Sequence, residues 1–196
     1  MNKSLIGCAA VAVLILLIGG MVSCGSYNRL VGLEEGVDAA WGQVENVYQR
    51  RADLVPNLVA TVKGAADFEK STLQAVVDAR AKVGQVSFPQ APNAQQLEQF
   101  QANQDALSGA LSRLLVVVEN YPDIKATEGF RDLQVQLEGT ENRISVERKR
   151  FNDAAQAYNT ARRRFPANLV AGIFGFDVKP YFKAAPGSDQ APKVEF

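Results

Sequence analysis

From Leu30 the apolar residues recur on a seven-residue beat, and that beat leaves few folds open. Leu30, Val37, Val44, Arg51 and Leu58 share one heptad position, and Leu33, Ala40, Val47 and Leu54 share its partner. Trp41, Tyr48, Val55 and Val62 widen the stripe to that of a core-facing helix. The spacing predicts a helix to about Lys63, ended by Gly64. Asp67 is a candidate N-cap for a second helix through Val83, with a weaker stripe of Leu73, Val76, Val77 and Val83. Gly84 to Pro92 loses the period and reads as a loop.

Asn93 and Gln96 form a capping-box signal ahead of the cleanest seam: Leu97, Phe100, Gln104, Leu107, Leu111, Leu114, Val118 and Tyr121. Pro122 is expected to stop that helix. A fourth helix follows from about Thr127 to Arg164, with Phe130, Leu137, Ile144, Phe151, Tyr158 and Phe165 at successive heptad positions, and Pro166 ends it. Sustained 3.5-residue spacing with short turns implies an all-α fold: an antiparallel, left-handed bundle of about four long helices, the first and last longest.

The N-terminus differs. Lys3 precedes an uncharged run whose apolar centre, Leu5 to Val22, rises roughly 27 Å as a helix, about one bilayer core. It is either a retained single-span anchor or a signal peptide cut before Cys24, since Gly20-Met21-Val22-Ser23-Cys24 is similar to a bacterial lipobox. Lys3, with no basic cluster after the run, favours an N-inside orientation that puts the bundle outside the cytoplasm. Residues 1–24 are thus anchor or signal peptide, 25–182 the bundle with a short apolar C-terminal segment, and 183–196 a disordered tail.

Composition removes several functions. Lys+Arg and Asp+Glu are both 21, so no overall basic balance points to nucleic acid. The chain has no histidine, and both cysteines lie in the first 24 residues. That excludes a His/Cys zinc site, a Cys–His pair and a Ser–His–Asp triad. No residue pattern marks a metal, a cofactor or a small-molecule substrate.

Polar residues inside the seam need a reason. Arg51 falls between Val44 and Leu58, and Glu147 falls between Thr140 and Ala154 in the other register of the fourth helix. A charge inside a bundle is costly unless paired, so Arg51 is expected to meet Glu141 or Glu147. Arg50, Asp53 and Asn57 lie on an adjacent strip and extend the network. Pro56 removes a backbone donor, and Asn57 is the side chain placed to satisfy what it frees. Such a network fixes helix register, as a buried polar residue does in a coiled coil, unless Arg50 or Arg51 binds an anionic ligand.

Arg162, Arg163 and Arg164 close the fourth helix, where cations complement the helix dipole. Three reversals also bring them back toward the membrane. With Leu169, Ile173, Phe174 and Phe176 they then form an interfacial element, unless those apolar residues simply cap the base of the bundle.

These motifs resemble the LemA family. Tyr27-Asn28-Arg29-Leu30-Val31 opens the pattern, followed by Val37-Asp38-Ala39-Ala40-Trp41, Gln49-Arg50-Arg51-Ala52-Asp53-Leu54-Val55-Pro56-Asn57-Leu58-Val59 and Val62-Lys63-Gly64. Later come Val118-Glu119-Asn120-Tyr121-Pro122-Asp123-Ile124-Lys125-Ala126 and Gly139-Thr140-Glu141-Asn142-Arg143-Ile144. Arg150-Phe151-Asn152-Asp153-Ala154 and Phe165-Pro166-Ala167-Asn168-Leu169-Val170-Ala171-Gly172 complete it. The resemblance implies a bacterial membrane-associated helical bundle without established activity, cofactor or substrate. It ties the Arg51 stretch to the Glu141 motif and so adds Asn142 and Arg143 to the expected network. Cys24 departs from the plain anchor of many relatives.

The expected function is a non-enzymatic, membrane-tethered interaction module of the bacterial envelope, partnered by itself or by another envelope protein. One alternative is lipid binding or membrane shaping through Arg162–Phe176. A carboxylate hydrolase using Glu141, with Arg51 as anion stabiliser, is the other. It requires a water-accessible cleft at Glu141, and a dry, fully packed seam there would dismiss it.

Overall fold

The computed structural model of the chain describes residues 3–64 and 69–183, with the side chains of residues 3–12, 15, 16, 18 and 22 outside the description. Among the described residues there are helices and no strand: α1 (Lys3–Lys63), α2 (Lys70–Val83), α3 (Ala94–Val118), α4 (Pro122–Lys125), α5 (Glu128–Arg163) and α6 (Ala167–Phe174). Asp67 and residues 184–196 lie outside them, so neither the expected cap nor the expected tail is described. So do most side chains of Leu5–Val22. Among those described, no helix is long and apolar enough to cross a membrane.

Helix polarity follows from which residues meet. Trp41 touches Phe100 while Arg51 reaches Gln104 and Ser108, so α1 and α3 run parallel. Trp41 also touches Phe151 while Arg51 meets Glu141, so α5 runs antiparallel to both. α1 packs most closely on α5, and α2 on α3. α1 and α3 meet across the bundle through long side chains. The loop after α2 continues its column down α1: Trp41 Nε1 donates to the Phe88 carbonyl (3.2 Å), and the Phe88 and Ala91 amides donate to Glu45 (3.1 Å) and Asp38 (2.8 Å).

Helix ends obey local chemistry. Asn93 and Gln96 make the reciprocal capping box at 2.9 and 3.0 Å. Pro122 does not stop α3, which already ends at Val118; it opens the short α4, where its missing N–H costs nothing. Phe165 is not in the seam but is 80% exposed. The reason is Pro166, which disfavours a helical residue before it, so α5 ends at Arg163.

Pro56 lies inside α1 and cannot donate to the carbonyl of Ala52. That carbonyl accepts instead from Arg80 Nε of α2, at 3.0 Å. Asn57 does not take the role expected of it; it is exposed, and its own carbonyl accepts from Thr61 Oγ1 at 2.9 Å.

Among the described side chains Leu30 is the first fully buried, and roughly 35 Å of α1 precedes Tyr27, which packs on the base of the bundle. Two apolar clusters then stack along the bundle. The lower, from Leu30 to Tyr48 on α1, is rich in aromatic rings, and the upper starts at Ala52. After α6 the chain turns at Gly175, whose φ of +73° suits a residue without Cβ. Residues 176–183 then climb α5 without secondary structure and complete the lower cluster with Phe176 and Phe182.

Candidate functional site

Arg51 sits between the two apolar clusters at 1% exposure. Its Nη1 donates to Ser108 Oγ (2.6 Å) and Glu141 Oε1 (2.8 Å). Its Nη2 donates to Gln104 Oε1 (2.6 Å) and to the Gln104 carbonyl (3.1 Å). The guanidinium also lies 5.0 Å from the Tyr48 ring centroid. Only Nε is left without an acceptor. The result is a polar layer clasping α1, α3 and α5. Burial pushes the Tyr48 phenol up, against the pull of Arg148 and Arg51.

The remaining expected members of the network lie elsewhere. Arg50, Asp53, Asn57, Asn142 and Arg143 are exposed, and Asp53 accepts from Gln49 within its own helix at 2.8 Å. Glu147 pairs with Arg150, also within its own helix, at 2.8 Å. The face carrying Arg50, Asp53 and Asn57 is turned away from the stripe of Arg51, Val55 and Leu58, which α1 uses for packing.

Glu141 is half-exposed and opens on a cleft of about 500 Å³ lined by Ser108, Ser112, Glu138 and Asn142. A carboxylate therefore does face water there. Arg51 cannot serve it as an anion stabiliser, because both terminal nitrogens already hold two acceptors each. No cluster of His, Cys, Asp or Glu able to hold a metal occurs among the described residues.

The base of the bundle is a second locus. Tyr27 of α1 makes edge contacts with Phe174 and Phe176 at 5.0 and 5.5 Å between ring centroids. This puts α6 where α1 leaves the bundle. Leu169, Ile173 and Phe174 are exposed, as is Phe165 two residues before α6 begins. Phe176 is buried and belongs to the core, so the apolar C-terminal stretch divides between cap and surface. Arg162 Nε donates to the Phe176 carbonyl at 2.5 Å, whereas Arg163 and Arg164 are exposed. Arg164 and Arg29 line a shallow cleft of about 370 Å³ at this end. Cys24 is free and exposed on α1 below Leu30.

Comparison with known proteins gives the chain a family. The model of the LemA family matches residues 40–196, most of the chain. The chain belongs to the LemA family. It is 31% identical to Magnetosome protein MamQ 2 of Paramagnetospirillum magneticum, with 83% of this chain and 66% of that protein covered. It is 28% identical to Magnetosome protein MamQ of Magnetospirillum gryphiswaldense, with the same coverage, and 23% identical to Protein LemA of Metamycoplasma hominis, with 76% and 65% covered. The chain thus spans just under two thirds of the length of these relatives.

Two of the LemA-like motifs meet in space, and others build the base. The motif at Gln49–Val59 supplies Arg51, and the one at Gly139–Ile144 supplies its partner Glu141. The motif at Arg150–Ala154 supplies Asn152, and the one at Phe165–Gly172 forms α6. Sequence reasoning missed Ser108, Arg80, Asn152 and Asn159, and counted Gln104 only as a seam position. One signal was available for the asparagines: each follows an aromatic seam residue, Phe151 or Tyr158, and they are one heptad apart.

Proposed function

We propose that this chain is a non-enzymatic, membrane-tethered helical interaction module of the bacterial envelope whose base rests on the bilayer. The observation that carries this is the exposed apolar face of α6, Leu169, Ile173 and Phe174, at the end where α1 leaves the bundle. An exposed apolar face with cations nearby is what an interfacial element presents to lipid. Arg29 and Arg164 line a separate cleft at the same end of the bundle, together with Asp153, and anionic headgroup phosphates attract such guanidinium groups. The Leu5–Val22 run supplies the tether, either as a retained helix or, after cleavage, through an acylated Cys24. Both place the same end of the bundle against the membrane. The names of the MamQ relatives give a place, the magnetosome, and no reaction.

The Arg29–Arg164 cleft favours a second reading, in which the base binds or shapes lipid in its own right. Both readings meet one test. The full chain is reconstituted into vesicles whose acyl chains carry a photoreactive group, and labelled peptides are mapped. Lipid adducts within residues 165–174 are expected; adducts confined to residues before Arg29 would contradict both. A bilayer-shaping role further requires that vesicle diameter change with protein density, and the tether-only role that it stay constant.

A further inference from the structure

Residues 176–183 are held as a bound peptide is held. Asn159 grips Lys179 by both main-chain groups: its Nδ2 donates to the Lys179 carbonyl (2.8 Å) and its Oδ1 accepts from the Lys179 amide (3.0 Å). Asn152, one heptad earlier, does the same for Phe182, at 3.1 and 2.8 Å. Arg148 and Gln101 then donate to the Lys183 carbonyl at 2.8 and 3.2 Å. Paired bonds of this kind read an extended backbone whatever its side chains, as strand-adding and groove-binding peptides are read.

Two side chains add selectivity. Phe182 enters the aromatic cluster, stacked on Trp41 with centroids 6.3 Å apart and edge-on to Phe151 at 5.5 Å. Lys179 reaches Glu34 of α1 at 2.7 Å. The groove therefore selects a lysine and, three residues on, a phenylalanine in an extended chain. Beside Tyr181 and Lys183 it opens along α3 into a cleft of about 490 Å³ that the segment leaves unfilled.

None of these contacts depends on the segment belonging to the same molecule. We propose that the groove is a docking site for residues 176–183 of a second copy, so that copies associate by exchanging this segment about Gly175. The occupant is chosen by what the groove holds: this chain's own Lys179-to-Phe182 spacing is the sequence whose fit to it is on view. Exchange keeps the contacts of Lys179 and Phe182, gives up the local Phe176 amide to Ala171 carbonyl bond across Gly175, and is otherwise opposed only by the cost of association, as in other low-cost swapped dimers. Copies tethered to one bilayer, as proposed above, meet at raised effective concentration, which favours exchange further.

The test uses full chains in vesicles, mixing copies grown on heavy and light isotopes. A benzophenone-bearing residue replaces Tyr181, which is partly exposed beside the cleft, and adducts are sequenced by mass spectrometry. Heavy-to-light adducts onto α3 or α5 that increase with protein density are expected. Adducts confined within single chains at every density would overturn the proposal. So would heavy-to-light adducts that survive unchanged in Asn152→Ala/Asn159→Ala, since the copies would then meet elsewhere. Lipid adducts at residues 165–174 are scored separately, so failure of exchange does not imply failure of membrane contact.

Discussion

Arg80 donates from Nε to the backbone carbonyl of Ala52 at 3.0 Å, and Ala52 is the residue whose helical partner would have been Pro56. A proline inside a helix leaves one carbonyl without a donor and is tolerated only if something else supplies one. Here the donor comes from the neighbouring helix. The proline thus becomes a contact specifying how α2 docks on α1, rather than a defect in α1.

This makes a double-variant prediction. Arg80→Met should cost about 1–2 kcal/mol by leaving the part-buried carbonyl unmet. With Pro56→Ala already in place the same change should cost almost nothing, because an alanine there restores the helical N–H. Urea unfolding followed by the emission of Trp41, the single tryptophan, measures both. Equal costs in the two backgrounds would show that Arg80 acts independently of Pro56.

The clasp should be asymmetric. Arg51→Met removes the centre of four hydrogen bonds and leaves the buried Gln104 side chain unmet, a loss of about 2–3 kcal/mol. Glu141→Gln removes a half-exposed charge while Gln104 and Ser108 keep hold of the guanidinium, a loss of about 1 kcal/mol. The same unfolding measurement separates them, and comparable losses would place the energy in the ion pair instead of the layer.

Alkaline pH should weaken the fold through Tyr158. Burial pushes its phenol up to about 12, helped by Glu34 and opposed by Arg162, and its hydroxyl has no hydrogen-bond partner. A raised folded pKa means the unfolded chain releases the proton first. Stability is therefore intact below pH 10 and falls between pH 10 and about 12. Tyr158→Phe should flatten part of that fall; Tyr48, raised the same way, keeps the rest. Unfolding curves at stepped pH show whether the variant's slope is shallower.

Neighbouring phenylalanines at the base should behave oppositely. Phe174→Ser removes a largely exposed side chain and its edge contact with Tyr27, and should cost no more than about 1 kcal/mol. Phe176→Ala opens the lower core and should cost about 3–5 kcal/mol. Thermal unfolding of the two variants checks the division between surface and cap.

How much of this the sequence carried depends on how local each cause is. The heptads place helices and their apolar faces, and a charge within them stands out, so Arg51 with Glu141 as a partner was legible. Arg80 was not, because its acceptor is a carbonyl whose position depends on how α2 docks. Asn152 and Asn159 were not, because an asparagine beside a seam residue looks like surface until an extended segment lies over it. Arg50, Asp53 and Asn57 misled because helical adjacency to a seam does not put a side chain in it. Phe165 misled because the heptad count ignores the proline that follows.

The central claim, that the base of the bundle lies on the bilayer, is most directly tested by depth. A polarity-sensitive fluorescent residue is placed at position 173 on α6, or at position 116, exposed near the far end of α3, in full chains reconstituted with nitroxide-labelled lipids. The account predicts blue-shifted emission and strong quenching at position 173 and neither at position 116. Emission at 173 as unquenched as at 116 would contradict it.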